Sequence, residues 1–208
     1  MGLPPPVFMG YYPKCVYVPE GEGVDWGNVK EICSVSDCIS DGVIHEDHIP
    51  WHTFNRAFRY NSQTEAVRAA GGPGEQGVEV FAYSIYPVRF TRDGKLEIID
   101  LDDMFDQSLP ALPDFQPDPR FKEIGFDVVA FEFDDRTFDD RTADVVRGYW
   151  GCSPLSCNGY ASQFGVNRCC LIDDLATAVE AAKCFQREQP EPGEYFVVRV
   201  NRAGGLSG

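Results

Sequence analysis

Two periods of apolar and polar residues alternate along this chain, and their boundaries outline the expected elements. Val78-Glu79-Val80-Phe81-Ala82-Tyr83-Ser84-Ile85-Tyr86 is rich in β-branched and aromatic residues and predicts a strand over 78–86. Asp93-Gly94 between Phe90 and Leu96 supplies the positive φ angles of a tight turn, so Leu96-Glu97-Ile98-Ile99 is expected to return as a hairpin. Phe126–Phe133, residues 166–172 and Tyr195–Val200 read as further strands, and Val16-Tyr17-Val18 as a short one.

The helical period appears in four places. Val29, Ile32, Cys33 and Ile39 share a face of a helix over 25–39, capped by Asp25 or Asn28. Pro50 opens a second helix at a position where its missing N–H costs nothing, with Trp51, Phe54 and Phe58 at i, i+3 and i+7. Ser62-Gln63-Thr64-Glu65 is a capping box for a third, which Gly71-Gly72 ends. Leu175, Ala178, Val179, Ala182 and Phe185 line one side of a fourth, started by Asp173 or Asp174 and stopped by Pro190-Glu191-Pro192-Gly193. Residues 166–200 thus read strand, helix, strand, and 101–120, with its four prolines, as irregular.

Together these predict a single α+β domain over 1–208 with a mixed, mostly antiparallel sheet. The N-terminal helices occupy about 20–72, the sheet about 78–200, and a flexible tail 201–208. A chain of 208 residues can bury about 70% of its unfolded surface, enough for a real core. No apolar run approaches the length of a membrane span, and the N-terminus lacks the basic region and long apolar stretch of a signal peptide. Pro6 stands where a myristoylation signal requires Ser or Thr. A cytoplasmic protein with its eight cysteines reduced is expected.

Charge narrows the partners. The net charge is −15, and residues 97–144 hold 15 Asp or Glu against 4 Lys or Arg, a local net of −11. Such a field repels phosphate backbones and anionic lipid, which argues against direct nucleic-acid or membrane binding. It suits a solvated face or a basic protein partner; imitation of nucleic acid is a third reading. Within it, Phe133-Asp134-Asp135-Arg136-Thr137 is copied at 138–142. Its clustered carboxylates admit calcium, but the EF-hand glycine and terminal Glu are missing and the arginines can pair the aspartates, so a solvated loop is the plainer reading.

The candidate chemistry lies in two matching brackets. Cys33-Ser-Val-Ser-Asp-Cys38 and Cys152-Ser-Pro-Leu-Ser-Cys157 are both C-S-x-x-x-C. Two thiol pairs are the raw material of a zinc site, although four intervening residues are at the loose end of the usual spacing. A helix over 25–39 would also turn Cys38 about 140° away from Cys33. The alternative is cysteine as a small buried hydrophobe. His45, His48 and His52 lie on one helical face by spacing, but Pro50 interrupts that helix and argues against convergence on one ion. A mixed site combining His48 or His52 with the distant cysteines stays open.

Nucleophilic catalysis requires a thiolate beside a base. Cys152 or Cys157 would be the nucleophile and His45, His48 or His52 the base. The segment lacks the C-G-S-C-W pattern of papain-like enzymes, and the chain lacks a P-loop, G-x-S-x-G and H-E-x-x-H; His45-Glu46-Asp47-His48 is one residue short of the last. Cys169-Cys170, on a predicted strand, would face opposite ways, and Cys184 falls beside the apolar stripe of the last helix. The leading expectation is an acidic, non-catalytic interaction protein that needs no cofactor. Phe8, Tyr11 and Tyr12 are candidates for its interface or its core. A zinc- or thiol-dependent enzyme is the alternative.

Overall fold

The structure, a computed structural model, describes residues 2–19, 26–36, 38, 54–57, 59–69, 78–105, 107–137, 145–157 and 159–203; at 134–137 and 145–150 the backbone alone is described. The elements in chain order are β1 (Val7–Cys15), α1 (Gln63–Ala69), β2 (Val78–Ile85), β3 (Val88–Phe90), β4 (Leu96–Ile98), α2 (Leu101–Met104), β5 (Phe121–Thr137), β6 (Val145–Cys152), α3 (Pro154–Cys157), α4 (Ala161–Phe164), α5 (Leu175–Glu188) and β7 (Glu194–Ala203). Five strands form one antiparallel sheet in the order β1-β2-β7-β5-β6, and β3 pairs with β4 as the expected hairpin. The α+β class stands.

The last strand of the chain is central because it is apolar on both faces. Tyr195, Phe196, Val197 and Val198 are all fully buried, the pattern of a strand covered above and below. Tyr195 and Val197 join Val128 and Ala130 under α5, while Phe196, Val198 and Val200 join Val129 and Phe131 on the other face. Helix α5 lies close because Ala178, Ala181 and Ala182 are its buried contact residues. Asp174 caps it by accepting from the Thr177 N–H at 2.9 Å, and Gln189 ends it in the left-handed region. Helix α1 follows Ser62, as the capping box predicts.

The opposite face is covered by loops where helices are predicted. Residues 26–36 are irregular: the Ile32 N–H bonds the Tyr17 carbonyl at 2.8 Å and the Cys33 N–H bonds the Cys169 carbonyl at 3.1 Å. Val29, Ile32 and Cys33 are buried as the pattern implied, but the backbone donors that a helix would use internally go to distant segments. Pro50, Trp51 and Phe58 of the second predicted helix lie outside the described residues. Its described part, 54–57, is a turn in which the Asn55 side-chain oxygen accepts from the N–H groups of Ala57 and Arg59, a local alternative to helix.

Other corrections concern strands. The N-terminal strand is 7–15, earlier than Val16-Tyr17-Val18, and it tolerates Pro13 because it is a sheet edge. Phe8 and Tyr11 are core residues, with Tyr12 half-buried against them. Residues 166–172 form a turn with one bridge, Ile172 to Phe126, because the Asn167 side chain captures the N–H groups of Cys169 and Leu171. The turn is seated on a bulge of β5 between Glu123 and Gly125. A Cβ at Gly125 would lie 2.8 Å from the Leu171 Cβ. Strand β6 is not predicted by the sequence pattern. It pairs with the end of β5, so the first copy of the Phe-Asp-Asp-Arg-Thr repeat is strand, not loop; the second copy lies outside the described residues. Residues 201–203 continue β7 instead of starting a tail. Among the described residues, no helix is long and apolar enough to cross a membrane.

Candidate thiol and metal centre

Asp127 interrupts the apolar run Phe126–Phe131 of β5 and is fully buried. A carboxylate there is tolerable only with several donors. Ser34 Oγ donates to one of its oxygens at 2.7 Å and Ser153 Oγ to the other at 2.5 Å. The backbone N–H groups of Val35 and Val128 each add a bond at 2.8 Å. Ser34 and Ser153 are the second residues of the two brackets. One buried side chain therefore ties both brackets to the same point of the sheet.

Lys14 secures the first bracket from β1. It is buried, and its ammonium donates to the Ser34 carbonyl at 3.0 Å and the Ser36 carbonyl at 2.5 Å. Ser36 Oγ accepts from the Cys38 N–H at 3.2 Å, turning Cys38 toward the second bracket. There, Cys152 ends β6 and Cys157 ends the single turn of α3. Pro154 opens that turn, and the Ser153 carbonyl accepts from the Cys157 N–H at 2.9 Å.

The result is a convergence of three thiols. The sulfurs of Cys38, Cys152 and Cys157 all lie within 4.8 Å of one another, with Cys38 and Cys152 at 3.4 Å. Thiolates around one zinc at a Zn–S distance of about 2.3 Å sit about 3.8 Å apart, so the spacing fits a shared ion. Cys38 is exposed and the other two are half-buried, so the cluster opens to solvent.

The trio favours one negative charge on Cys157. The hydrogen bond from Cys152 is the main cause, with further bonds from Ser36, Ser156 and Cys38; they outweigh burial and lower the Cys157 pKa to about 6. The same bond, with burial, pushes Cys152 up, and burial pushes Cys38 up. The Ser36 Oγ to Cys157 Sγ distance is 3.4 Å.

Cys33 does not join its bracket partner. It lies beside Cys169 and Glu31. The two brackets thus meet through three of their four cysteines. The objection from helical rotation fails because 26–36 is not helical. His45, His48 and His52 lie outside the described residues, so the histidine metal set and the cysteine–histidine pairing remain expectations. Cys170 is buried against Val29 and Ile32, and burial pushes its thiol up to about 12. Cys184 is a buried residue of α5 and belongs to the core.

Sequence reasoning missed Asp127, Lys14 and the role of Ser34 and Ser153. Two signals were present: the serine common to both brackets, and the lone acid in Phe-Asp-Val-Val-Ala-Phe. Lys14 carries no such signal, and Glu31 and Cys169 are joined to Cys33 only by the fold. Compared with known proteins, the chain matches no family model, no curated protein and no solved structure.

Proposed function

We propose that the protein is a cytoplasmic zinc protein that holds one ion between Cys38, Cys152 and Cys157, with the fourth position available to water or substrate. The supporting observation is the convergence of three sulfurs from segments 114 residues apart, at spacings that suit one ion. Three protein ligands plus an open position is the ligand count of catalytic zinc sites, whereas structural sites are closed by four. Zinc-bound water would then serve as nucleophile, making hydrolysis the reaction class. Without metal, the Cys157 thiolate is itself a nucleophile at neutral pH.

Cobalt substitution tests this reading. Reduced protein titrated with Co²⁺ should develop thiolate-to-metal absorption, of which the part that belongs to this cluster is lost in Cys38→Ser and Cys157→Ser. A small added anion that ligates metals should then shift the ligand-field bands by entering the fourth position. Absence of thiolate absorption removes the zinc reading; bands that ignore the anion assign a closed, structural site.

A second reading rests on the acidic segment. Ile98 is 68% exposed, and the groove beside it is lined by Ile99, Asp100, Asp103, Met104, Phe133 and Arg89, whose charge is paired by Glu97 and Glu194. Apolar side chains among carboxylates suit a basic, amphipathic protein segment, whose binding should weaken with added salt. Affinity unchanged by salt would remove this reading.

A further inference from the structure

Cys33, excluded from the first cluster, has a constellation of its own. Glu31, Cys33 and Cys169 offer three donor atoms within 4.8 Å of one another, a group separate from Cys38, Cys152 and Cys157. Cys33 and Cys169 are both buried, and the backbone bond between them holds their segments in register. We infer that Glu31, Cys33 and Cys169 form a second site for a thiophilic divalent cation, independent of the first.

The geometry fits that role. Glu31 Oε1 and Cys169 Sγ are 3.6 Å apart. A carboxylate oxygen and a thiolate on one tetrahedral zinc sit about 3.6 Å apart, from bonds of about 2.1 and 2.3 Å. The carboxylate is also pre-oriented. Its Oε2 is held by Arg202 at 3.0 Å, and Arg202 is gripped in turn by both oxygens of Glu79. Carboxylate ligands of metals are commonly fixed by such a partner on the non-ligating oxygen.

The charges also suit it. Two thiolates and one carboxylate around a dication carry a net −1, beside Arg202, whose positive charge is shared between Glu31 and Glu79. A cation would compete with one existing contact, Arg168 Nη2 to Glu31 Oε1 at 3.2 Å. The Arg168 side chain is 71% exposed, so its release into water is inexpensive. Two thiols are softer donors than the carboxylate alone, which selects zinc or cadmium over calcium or magnesium.

Zinc counting separates the two sites. The full chain, reduced with a non-chelating phosphine and equilibrated with zinc alone, is weighed by native mass spectrometry. Two ions per chain are expected, one lost in Cys169→Ser and the other in Cys157→Ser. A single ion, lost in Cys157→Ser and retained in Cys169→Ser, overturns this inference and leaves the first site standing. A single ion lost only in Cys169→Ser does the reverse. Should Cys169→Ser not fold, Glu31→Gln keeps both thiols and the side-chain shape. It should weaken one of the two zinc equivalents at least tenfold in a chelator competition, with the far-UV spectrum unchanged; two equivalents of unaltered affinity overturn the inference.

Discussion

Ser34 and Ser153 donate to opposite oxygens of the same buried carboxylate, Asp127. They are equivalent positions of two brackets more than a hundred residues apart, so the similarity of the brackets has a structural cause. Each bracket needs a short hydroxyl one residue past its first cysteine, because that hydroxyl reaches the shared anchor. Beyond the anchor, a hydrogen bond to Ser36 places Cys38, and one helical turn places Cys157. Asp127 thus acts on the thiol cluster through Ser34 and Ser153, as a positioning residue.

Asp127→Asn is therefore expected to destabilise the fold by about 2–4 kcal/mol. An amide cannot accept on both sides, so at least one serine hydroxyl or backbone N–H would be left buried without its acceptor. Urea unfolding measures the loss. Ser34→Ala and Ser153→Ala should each cost less, and their double variant should deviate from additivity, because they share a partner. Additive losses would mean the two brackets are anchored separately.

The cysteine pattern was legible in the sequence as two equal pairs, but its pairing was not. Spacing suggests that Cys33 and Cys38 act together, yet the loop between them turns on Lys14 and Asp127 and sends the two thiols to different neighbours. The strands 78–86 and 195–200 and the helix over 175–189 were legible because burial on a regular element imposes a period. The 26–36 segment shows the limit of that logic. Its buried residues mimic a helical face while its N–H groups bond to Tyr17, Arg168 and Cys169, partners that only the folded chain supplies. Strand β6 was hidden for a related reason: Val145-Val146-Arg147-Gly148-Tyr149 is short and broken by glycine, and it gains its register from β5.

In metal-free, reduced protein, Cys157 should be alkylated before Cys38 and Cys152. Its pKa near 6 keeps it a thiolate at pH 7, whereas its two neighbours are held protonated. The labelling rate should rise with pH through about 6 and then level off. Ser36→Ala removes one of the donors to the thiolate and should move that rise to higher pH. Peptide mapping after brief iodoacetamide treatment at a series of pH values gives the profile. Equal labelling of all three thiols at pH 7 would contradict the charge assignment.

Metal removal should lower thermal stability if the first site is filled in the purified protein. A ligand that binds only the folded state at a hundred times its dissociation constant adds about 2.7 kcal/mol. For a chain of this size that corresponds to a Tm change of about 5–10 °C. A strong chelator should produce this fall and zinc should restore it. Cys38→Ser should lose the part of the response that belongs to the first site. A Tm indifferent to chelator and zinc in the parent protein would count against either site being occupied.

Lys14→Met keeps the stem of the side chain and deletes its charge. The carbonyls of Ser34 and Ser36 would lose their lysine donor in a buried setting, at about 1–3 kcal/mol for each group left unpaired. Because those carbonyls belong to the loop that carries Cys38, zinc affinity at the first cluster should fall along with stability. A variant that loses stability but binds zinc at parental affinity would separate the loop from the site.

Gly125→Ala tests the seat of the 167–172 turn. Gly125 adopts φ +138°, a conformation that side chains rarely enter, and an added Cβ would meet Leu171 Cβ at 2.8 Å and the Ile172 carbonyl at 2.9 Å. Backbone strain of about 1–3 kcal/mol combines with a steric contact that only movement of the turn relieves. The expected loss is about 3 kcal/mol, read as a lower urea midpoint with an unchanged m value. The turn carries Cys169, whereas Cys38, Cys152 and Cys157 are anchored through Asp127, two residues further along β5. Displacement of the turn should therefore weaken zinc binding at Glu31, Cys33 and Cys169 more than at the three-thiol cluster. Equal weakening of both would show that the bulge and the Asp127 anchor move as one unit.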